Sequence, residues 1–329
     1  MSVDAPAPPM HDTPVTFPSR DGVRLFAMLS MPAAPTGRPA IVLLPAGIKM
    51  RTGPQRIYKQ MADRFVALGH PVLRVDTHGL GDSEGEIAER AMPDLFGTIQ
   101  LGRYVGDTRA AMDWLETTHG IKRFLVAGLC GGAITALLAA DEDPRVVGLV
   151  GLGMPVILDG SGIDYWRYMT TVQLKGTRDR YLAKFKIWEP RVWKSWWRFV
   201  TLQSHYSLIG MSVLMRKTQP GAVASEPASS PDTPVAQASV PADNTNPRFA
   251  PAFLRVLAGG RPILLVFGGA DRLRWEFEEK FVARHRDALD AQSNRYDLVV
   301  IPDANHIFSL GEWQRPLVDQ VATWLGRFA

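Results

Sequence analysis

Cys130 is the single cysteine of the chain, and glycines stand two positions before and two positions after it, Gly128 and Gly132. The preceding residues 124–129 are apolar and typical of a buried strand, whereas the following residues are rich in Ala and Leu, as in a helix. A nucleophile on a strained strand-to-helix turn leaves no room for side chains beside it, which explains the flanking glycines. The pattern therefore predicts a nucleophile whose thiolate form is favoured by the start of the helix. The alternative is a small buried apolar residue.

Composition limits the function classes that the chain can serve. Its 329 residues are 46% apolar and 21% charged, as in a globular protein, and a net charge of +4 is too small for a typical nucleic-acid binder. No apolar run reaches the length of a membrane span, and residues 1–10 lack the pattern of a signal peptide. One cysteine fits a reducing compartment. We therefore expect a cytoplasmic protein without a nucleic-acid partner.

The elements that must position Cys130 alternate between strand and helix patterns. Such alternation requires crossover connections and predicts a mostly parallel sheet with helices on both faces. The predicted strands are a leading hairpin at 15–17 and 23–29, then 40–44, 71–76, 124–129, 146–152, 263–267 and 298–301. The predicted helices are 54–68, 103–118, the one after Cys130, 275–286 and 313–328.

The alternation stops between residues 155 and 260. The part at 155–217 is aromatic and basic and contains five of the nine tryptophans, whereas 218–248 is rich in Pro, Ala and Ser without periodicity. We interpret 155–217 as a helical cap and 218–248 as a flexible linker. The core then comprises 14–154 and 249–329, and the Pro/Ala-rich stretch 1–13 is expected to be disordered.

This order of segments resembles the α/β-hydrolase superfamily over residues 14–153 and 260–329. In that superfamily a nucleophile follows the fifth strand, an acid follows the seventh and a histidine follows the last. The resemblance implies an eight-stranded, mostly parallel sheet with helices on both faces and an inserted helical cap. At the matching positions stand Cys130, Asp271 and His306.

The triad that this resemblance implies assigns one role to each residue. His306 would accept the thiol proton of Cys130 and later protonate the leaving group. Asp271 would fix the tautomer and orientation of His306. Asp303 is the rival acid, but it stands only three residues before His306 and is too local to approach the far ring nitrogen comfortably.

Backbone N–H groups are expected to form the oxyanion hole. One would come from Gly131, directly after the nucleophile, and the other from Ala46 or Gly47 after the third strand. Candidate substrate-binding residues in the predicted cap are Trp166, Trp188, Trp193, Trp197 and His205.

Two arginines after the third strand, Arg51 and Arg56, could hold an anionic part of the substrate. The favoured alternative is that they pair structurally with acidic residues, of which the nearest candidates are Asp76, Asp82 and Glu84.

Three motifs narrow the resemblance. They are Gly-Ile-x4-Gly-Pro-x-Arg at 47–56, Arg-x-Asp-x-x-Gly-x-Gly-Asp-Ser-x-Gly at 74–85 and Gly-Leu-Cys-x-Gly at 128–132. Together they are similar to the exosortase A system-associated hydrolases. These are bacterial α/β-hydrolases with a cysteine at the nucleophile elbow, the strand-to-helix turn that carries the nucleophile. That likeness implies an esterase-like or acyl-transfer activity. The elbow cysteine also resembles those of the dienelactone hydrolases and the polyhydroxyalkanoate synthases.

We therefore predict an esterase or thioesterase that forms a thioester on Cys130 with a small-molecule substrate whose acyl part is apolar or aromatic. An acyltransferase that passes the acyl group to an amine or alcohol is the first alternative. A membrane-surface-binding protein that uses the Trp/Arg/Lys-rich cap is the alternative of another class. No metal site is expected, because no His/Asp/Glu cluster has ligand spacing, and no nucleotide cofactor, because Gly79-Leu80-Gly81 lacks a third glycine. The oligomeric state is not predicted.

Overall fold

The structure, a computed structural model, describes residues 12–160 and 244–328. Eight strands form one sheet in the order β1-β2-β4-β3-β5-β6-β7-β8. β1 and β2 are antiparallel to their neighbours, and all the other neighbouring strands are parallel. The predicted eight-stranded, mostly parallel sheet is therefore confirmed. The strands are β1 (Asp12–Pro18), β2 (Arg24–Ser30), β3 (Ala40–Leu44), β4 (Val72–Val75), β5 (Phe124–Leu129), β6 (Val146–Leu152), β7 (Ile263–Gly268) and β8 (Tyr296–Ile301).

Helices connect the parallel strands. In the described residues they are α1 (Ile57–Ala67), α2 (Met92–Gln100), α3 (Val105–His119), α4 (Gly131–Glu142), α5 (Phe249–Ala258), α6 (Arg272–Lys280), α7 (Arg286–Asp290) and α8 (Gly311–Leu325), with 3-10 turns at 54–56, 282–284 and 326–328. None of these helices is long and apolar enough to cross a membrane.

Three helices differ from the sequence-based expectation. α2 and α5 were not predicted, and the helix expected at 275–286 is divided into α6, a 3-10 turn and α7. The division falls at Phe281, whose φ is −120° and whose ring packs against Phe249 and Phe253 with centroids 5.0 and 4.9 Å apart. Aromatic packing on α5 therefore interrupts the helix, and no local sequence pattern marks that contact.

The central strands are buried on both faces, as their continuous apolar sequences indicate. Along β3, Ala40, Val42 and Leu44 join one apolar cluster, and Ile41 and Leu43 join a second cluster on the opposite face. The first cluster includes side chains of α3, α4 and α5, and the second includes those of α1 and α8. The core thus comprises two layers of side chains that the sheet separates.

β1 includes two residues that precede the predicted core boundary at residue 14. Asp12 is the first residue of β1, where it pairs with Ser30 and its carboxylate accepts a hydrogen bond from the buried guanidinium of Arg74 at 2.6 Å. Burial of a guanidinium requires a partner, so this ion pair extends the strand beyond the apolar pattern.

The two segments that flank residues 161–243 meet at a short stem, which we define as residues 156–159 and 245–248. Ile157 and Thr245 form an antiparallel bridge. The side chain of Gln100, at the end of α2, donates to the Asp159 carboxylate at 3.0 Å and accepts the Asp159 N–H at 2.7 Å. Asn246 in turn donates to the carbonyl oxygen of Gln100 at 2.7 Å. Residues 12–160 and 245–328 accordingly belong to one compact unit.

The boundaries of the core unit differ from the predicted domain boundaries because the stem belongs to the core. Residues 155–159, which were expected to begin the cap, and residues 245–248, which were expected to end the linker, lie in the core unit because α2 binds both. Residues 161–243 of the predicted cap and linker lie outside the described residues.

Candidate active site

The turn between β5 and α4 holds Cys130 in a backbone conformation that non-glycine residues rarely adopt. Its φ is 54° and its ψ is −114°. The Cys130 N–H donates to the carbonyl oxygen of Leu152 at 2.8 Å, which ties the turn to the end of β6. Such strain costs about 1–3 kcal/mol and persists only where the surroundings enforce it. The side chain is partly exposed, so the turn presents a thiol at the carboxyl edge of the sheet.

The glycines on either side of Cys130 have a steric cause. A Cβ on Gly132 would lie 2.5 Å from the carbonyl oxygen of Pro45, and a Cβ on Gly128 would lie 2.8 Å from the Cα of Gly132. Both distances are shorter than real Cβ contacts. The spacing Gly-x-Cys-x-Gly is therefore what this turn requires.

Asp271 and His306 come together beside this turn. Asp271 lies at the start of α6, just after β7, where one carboxylate oxygen accepts the Leu273 N–H at 3.1 Å. The other carboxylate oxygen lies 2.8 Å from Nδ1 of His306, which is in the loop after β8. The Asp271 side chain is 1% exposed and that of His306 is 33% exposed. The rival acid Asp303 is exposed at a left-handed φ of 57°, and the carboxylate that binds the imidazole is that of Asp271.

The charges around His306 favour its protonated form. Burial lowers the pKa of His306, but hydrogen bonds to Asp271 and Cys130, with the negative charges of both, raise it to about 10. An imidazolium that touches a thiol on one side and a carboxylate on the other can stabilise a thiolate and donate a proton to a leaving group.

Two backbone N–H groups lie near the nucleophile turn. A Cβ on Gly131 would lie 3.0 Å from the Cα of Gly47 and 3.3 Å from its nitrogen, so the two residues are in close contact. Within the described part of the chain, neither N–H donates to a protein acceptor. The N–H of Ala46, the other predicted source, likewise donates to no backbone acceptor in the described residues, but the close contact with Gly131 is made by Gly47. The pair formed by Gly131 and Gly47 can therefore bind a developing oxyanion.

Gly153 is a site residue that the sequence analysis did not identify. It follows β6 with a φ of 50°, and a Cβ there would lie 3.0 Å from Nδ1 and Cε1 of His306 and 3.1 Å from the Asp271 carboxylate. Its N–H donates to the carbonyl oxygen of Val266 at 2.8 Å, which fixes its position. The imidazole and the carboxylate thus pack directly on the backbone of Gly153.

We expect Gly153→Ala to lower kcat about 10²-fold, because the added methyl group must displace His306 or Asp271. KM should change little. Turnover of a p-nitrophenyl ester measures both constants. Gly260→Ala is the matched control, since Gly260 also has a positive φ, 76°, but open space around the added Cβ. Equal kcat values in the two variants would show that Gly153 does not position the pair.

The two arginines after β3 have different environments. Arg51 pairs with Asp76, its Nη2 lies 2.7 Å from the Asp82 carboxylate, and its guanidinium stacks 4.4 Å from the centroid of the Phe26 ring. Arg51 therefore pairs with acidic residues of the protein, as the favoured alternative predicts. Arg56 is exposed and precedes α1 with a φ of 60°. The other candidate substrate-binding residues, Trp166, Trp188, Trp193, Trp197 and His205, lie outside the described residues.

α2 is a second feature of the site that the sequence analysis missed. Phe96 lies 3.2 Å from where a Cβ on Gly47 would stand, and Ile99 lies 3.0 Å from where a Cβ on Gly131 would stand. These two side chains therefore lie against Gly47 and Gly131, whose N–H groups are the candidate oxyanion donors beside Cys130. The signals in the sequence are Pro93 at the first turn and the spacing of Leu95, Phe96 and Ile99.

Residues 12–160 and 244–328 contain no group of three His, Cys, Asp or Glu side chains that could hold a metal ion. A second histidine–carboxylate pair does occur, between Nδ1 of His78 and the Asp107 carboxylate at 2.8 Å. His78 follows β4 and its ring packs edge-on against Tyr104, so this pair belongs to the scaffold after β4.

Residues 39–312 match the sequence model of the family described as "alpha/beta hydrolase fold". No curated protein matches the chain in sequence. Among solved structures, an esterase of Pyrococcus furiosus, Pf2001, is 15% identical with a TM-score of 0.56 over 97% of this chain and 92% of that one. The hypothetical protein PA2218 of Pseudomonas aeruginosa is 21% identical with a TM-score of 0.52, over 97% and 94% of the two chains. The hydrolase GrgF of Penicillium sp. sh18 is 17% identical with a TM-score of 0.51, over 97% and 99%. At these identities the likeness concerns the fold.

Proposed function

Because the chain belongs to the α/β-hydrolase fold family, we propose that it is an ester or thioester hydrolase that acts through a covalent acyl group on Cys130. One observation carries the proposal. The single cysteine occupies the strained turn between β5 and α4, beside a histidine that a buried carboxylate binds at 2.8 Å. The chain order and the positions of Cys130, Asp271 and His306 match those that acyl transfer in this fold requires, which supports the roles proposed for them.

The first half of the reaction forms the thioester. The Cys130 thiolate attacks the acyl carbon, a carbon–sulfur bond forms, and the carbonyl electron pair moves to oxygen, where the N–H groups of Gly131 and Gly47 bind it. When the carbonyl reforms, the bond to the leaving group breaks and the His306 imidazolium protonates the departing alcohol or thiol. Asp271 holds the ring in the orientation that this transfer needs.

The second half returns the enzyme to its starting state. Neutral His306 takes a proton from water, the hydroxyl oxygen attacks the thioester carbon, and the same N–H groups bind the oxyanion. The carbon–sulfur bond then breaks to release the carboxylic acid and the thiolate, which again faces an imidazolium.

The surroundings of the site support an acyl group that is apolar. Ile48 and Met50 follow the Gly47 loop and Ile307 follows His306, and all three side chains are exposed. Because these exposed side chains stand within three residues of Gly47 or directly after His306 along the chain, they support an apolar ligand at the proposed site. Transfer of the acyl group to an amine or alcohol, and binding to a membrane surface, stay predictions because both depend on the predicted cap.

The test is capture of the acyl-enzyme. We expect the protein to release p-nitrophenol from p-nitrophenyl hexanoate in a burst and, after an acid quench, to carry one acyl adduct by intact mass. Neutral hydroxylamine should remove this adduct, because it cleaves thioesters and spares oxygen esters. An adduct that resists hydroxylamine, or one that maps to another residue, would overturn the assignment to Cys130.

The pH profile of kcat/KM tests the charge state of His306. Since the folded-state pKa of His306 is about 10, the imidazolium persists above neutral pH, and kcat/KM should fall only as the pH rises through about 10. In Asp271→Asn the descending limb should move to lower pH, because a cause of the raised pKa is removed. A wild-type limb near pH 7, with Cys130→Ala as the blank for background hydrolysis, would contradict this account.

A further inference from the structure

Tyr58 is a fully buried side chain on α1 whose hydroxyl reaches the nucleophile turn. Its exposed fraction is 0%, and its hydroxyl oxygen accepts the N–H of Leu129 at 2.7 Å. Leu129 is the last residue of β5, directly before Cys130. The hydroxyl of Tyr58 therefore binds the backbone one residue before the nucleophile.

This hydrogen bond replaces one that the sheet does not supply. Pairing between β3 and β5 ends at Leu44 and Gly128, whereas pairing between β5 and β6 continues to Leu129 and Leu152. After Leu44 the chain leaves the sheet towards Gly47, so Leu129 has a strand partner on the β6 side alone. A buried N–H without an acceptor is strongly unfavourable. The phenol oxygen of Tyr58 supplies the acceptor that β3 would otherwise provide.

The loop before α1 is folded around the Tyr58 ring. Gly53 has a φ of 66°, and a Cβ there would lie 3.0 Å from Cγ of Tyr58. Gln55 and Arg56 also have positive φ values, 50° and 60°. The Tyr58 N–H donates to the carbonyl oxygen of Thr52 at 3.1 Å. Several unusual backbone conformations therefore coincide where this ring must enter the core.

The contact between Tyr58 and Leu129 links the loop that carries the proposed oxyanion donor Gly47 to the turn that carries Cys130. The loop that carries Gly47 leads into α1, and α1 returns to the base of the turn through Tyr58. On the β6 side the Cys130 N–H is held by Leu152, and on the β3 side the Leu129 N–H is held by Tyr58. Burial and the charge of Cys130 raise the pKa of Tyr58, so the phenol stays neutral and protonated.

We propose that Tyr58 is a positioning residue for the nucleophile, whose hydroxyl fixes the end of β5 and thereby sets the direction of the Cys130 side chain towards His306. Without the hydroxyl, the strained turn loses one of its two lateral hydrogen bonds, and the thiol samples orientations that do not face the imidazole. This inference rests on the proposed role of Cys130, but it concerns the geometry of the turn.

Tyr58→Phe removes the hydroxyl and preserves the ring. We expect kcat for p-nitrophenyl hexanoate to fall about tenfold with KM within about twofold of wild type. Alkylation of Cys130 by iodoacetamide at pH 7 should slow about fivefold, and the alkylation profile should move to higher pH as the contact with His306 weakens. Tyr296→Phe is the control, since Tyr296 lies at the amino end of β8 and its ring packs against Phe253 of α5, whereas Cys130 follows the carboxyl end of β5. Its kcat and alkylation profile should match those of wild type.

Two results would overturn the inference. One is a folded Tyr58→Phe protein with the wild-type kcat and alkylation profile, even if its melting temperature falls. The other, which needs no variant, is amide hydrogen exchange of Leu129 in the wild-type protein as fast as in an exposed loop. If wild type turns over no ester but its alkylation still depends on Tyr58, the proposed function fails and this inference stands.

Discussion

Cys130→Ala is expected to abolish turnover of p-nitrophenyl hexanoate, with a loss of about 10⁴-fold or more in kcat. The thiol is the group that bonds to the acyl carbon in the proposed reaction, and its removal leaves the oxyanion donors and the binding surface without a nucleophile. Steady-state kinetics measure the loss, and intact mass should show that the acyl adduct disappears.

The stability of this variant should be close to that of wild type. Alanine lacks only the sulfur, so circular dichroism and thermal unfolding can establish that the loss of activity is chemical. Cys130→Ser serves as the second variant, because it keeps a nucleophilic atom at the same place. We expect it to keep more activity than Cys130→Ala and to form an adduct that resists hydroxylamine. Undiminished turnover in Cys130→Ala would place the nucleophile elsewhere.

His306→Ala is expected to lower kcat about 10³-fold, since the ring both pairs with the thiolate and protonates the leaving group. Iodoacetamide should also alkylate Cys130 more slowly at pH 7, because the neighbouring positive charge is gone. With one cysteine in the chain, the mass of a single adduct reports on Cys130 alone.

The structure offers a matched control for this variant. His78 is also bound at Nδ1 by a carboxylate at 2.8 Å and is partly buried to a similar degree, with a side chain 25% exposed against 33% for His306. His78→Ala therefore removes a comparable histidine–carboxylate pair without touching the proposed triad. We expect its kcat to stay within about threefold of wild type. If the two variants lost activity equally, a general structural effect would explain both.

The sheet could be predicted because its strands carry continuous apolar runs, and each run in the centre of the sheet is buried on both faces. The turn at Cys130 could be predicted for a similar reason: Gly128 and Gly132 are required by contacts within a few residues and with the adjacent strand. The resemblance to a known superfamily then led to Asp271 and His306, which the structure places 2.8 Å apart.

The features that were missed depend on contacts between distant parts of the chain. Gly153 is one of 29 glycines, and nothing near it in the sequence indicates that His306 packs on it. Tyr58 fits the apolar face of α1 as well as a leucine would, and its role emerges only from the position of Leu129. α2 was overlooked because it is short and its buried side chains form a small separate cluster with Leu80 and Tyr104.

The stem, residues 156–159 and 245–248, affects how much free energy a change in the length of the intervening segment would cost. Because Ile157 and Thr245 are bridged and Gln100 binds both arms, the ends of the intervening segment are already closed by the core. Closing a longer loop costs little entropy, about 0.6 kcal/mol for each doubling of its length. The strand order of the core therefore depends little on the length of the segment that is joined at this stem.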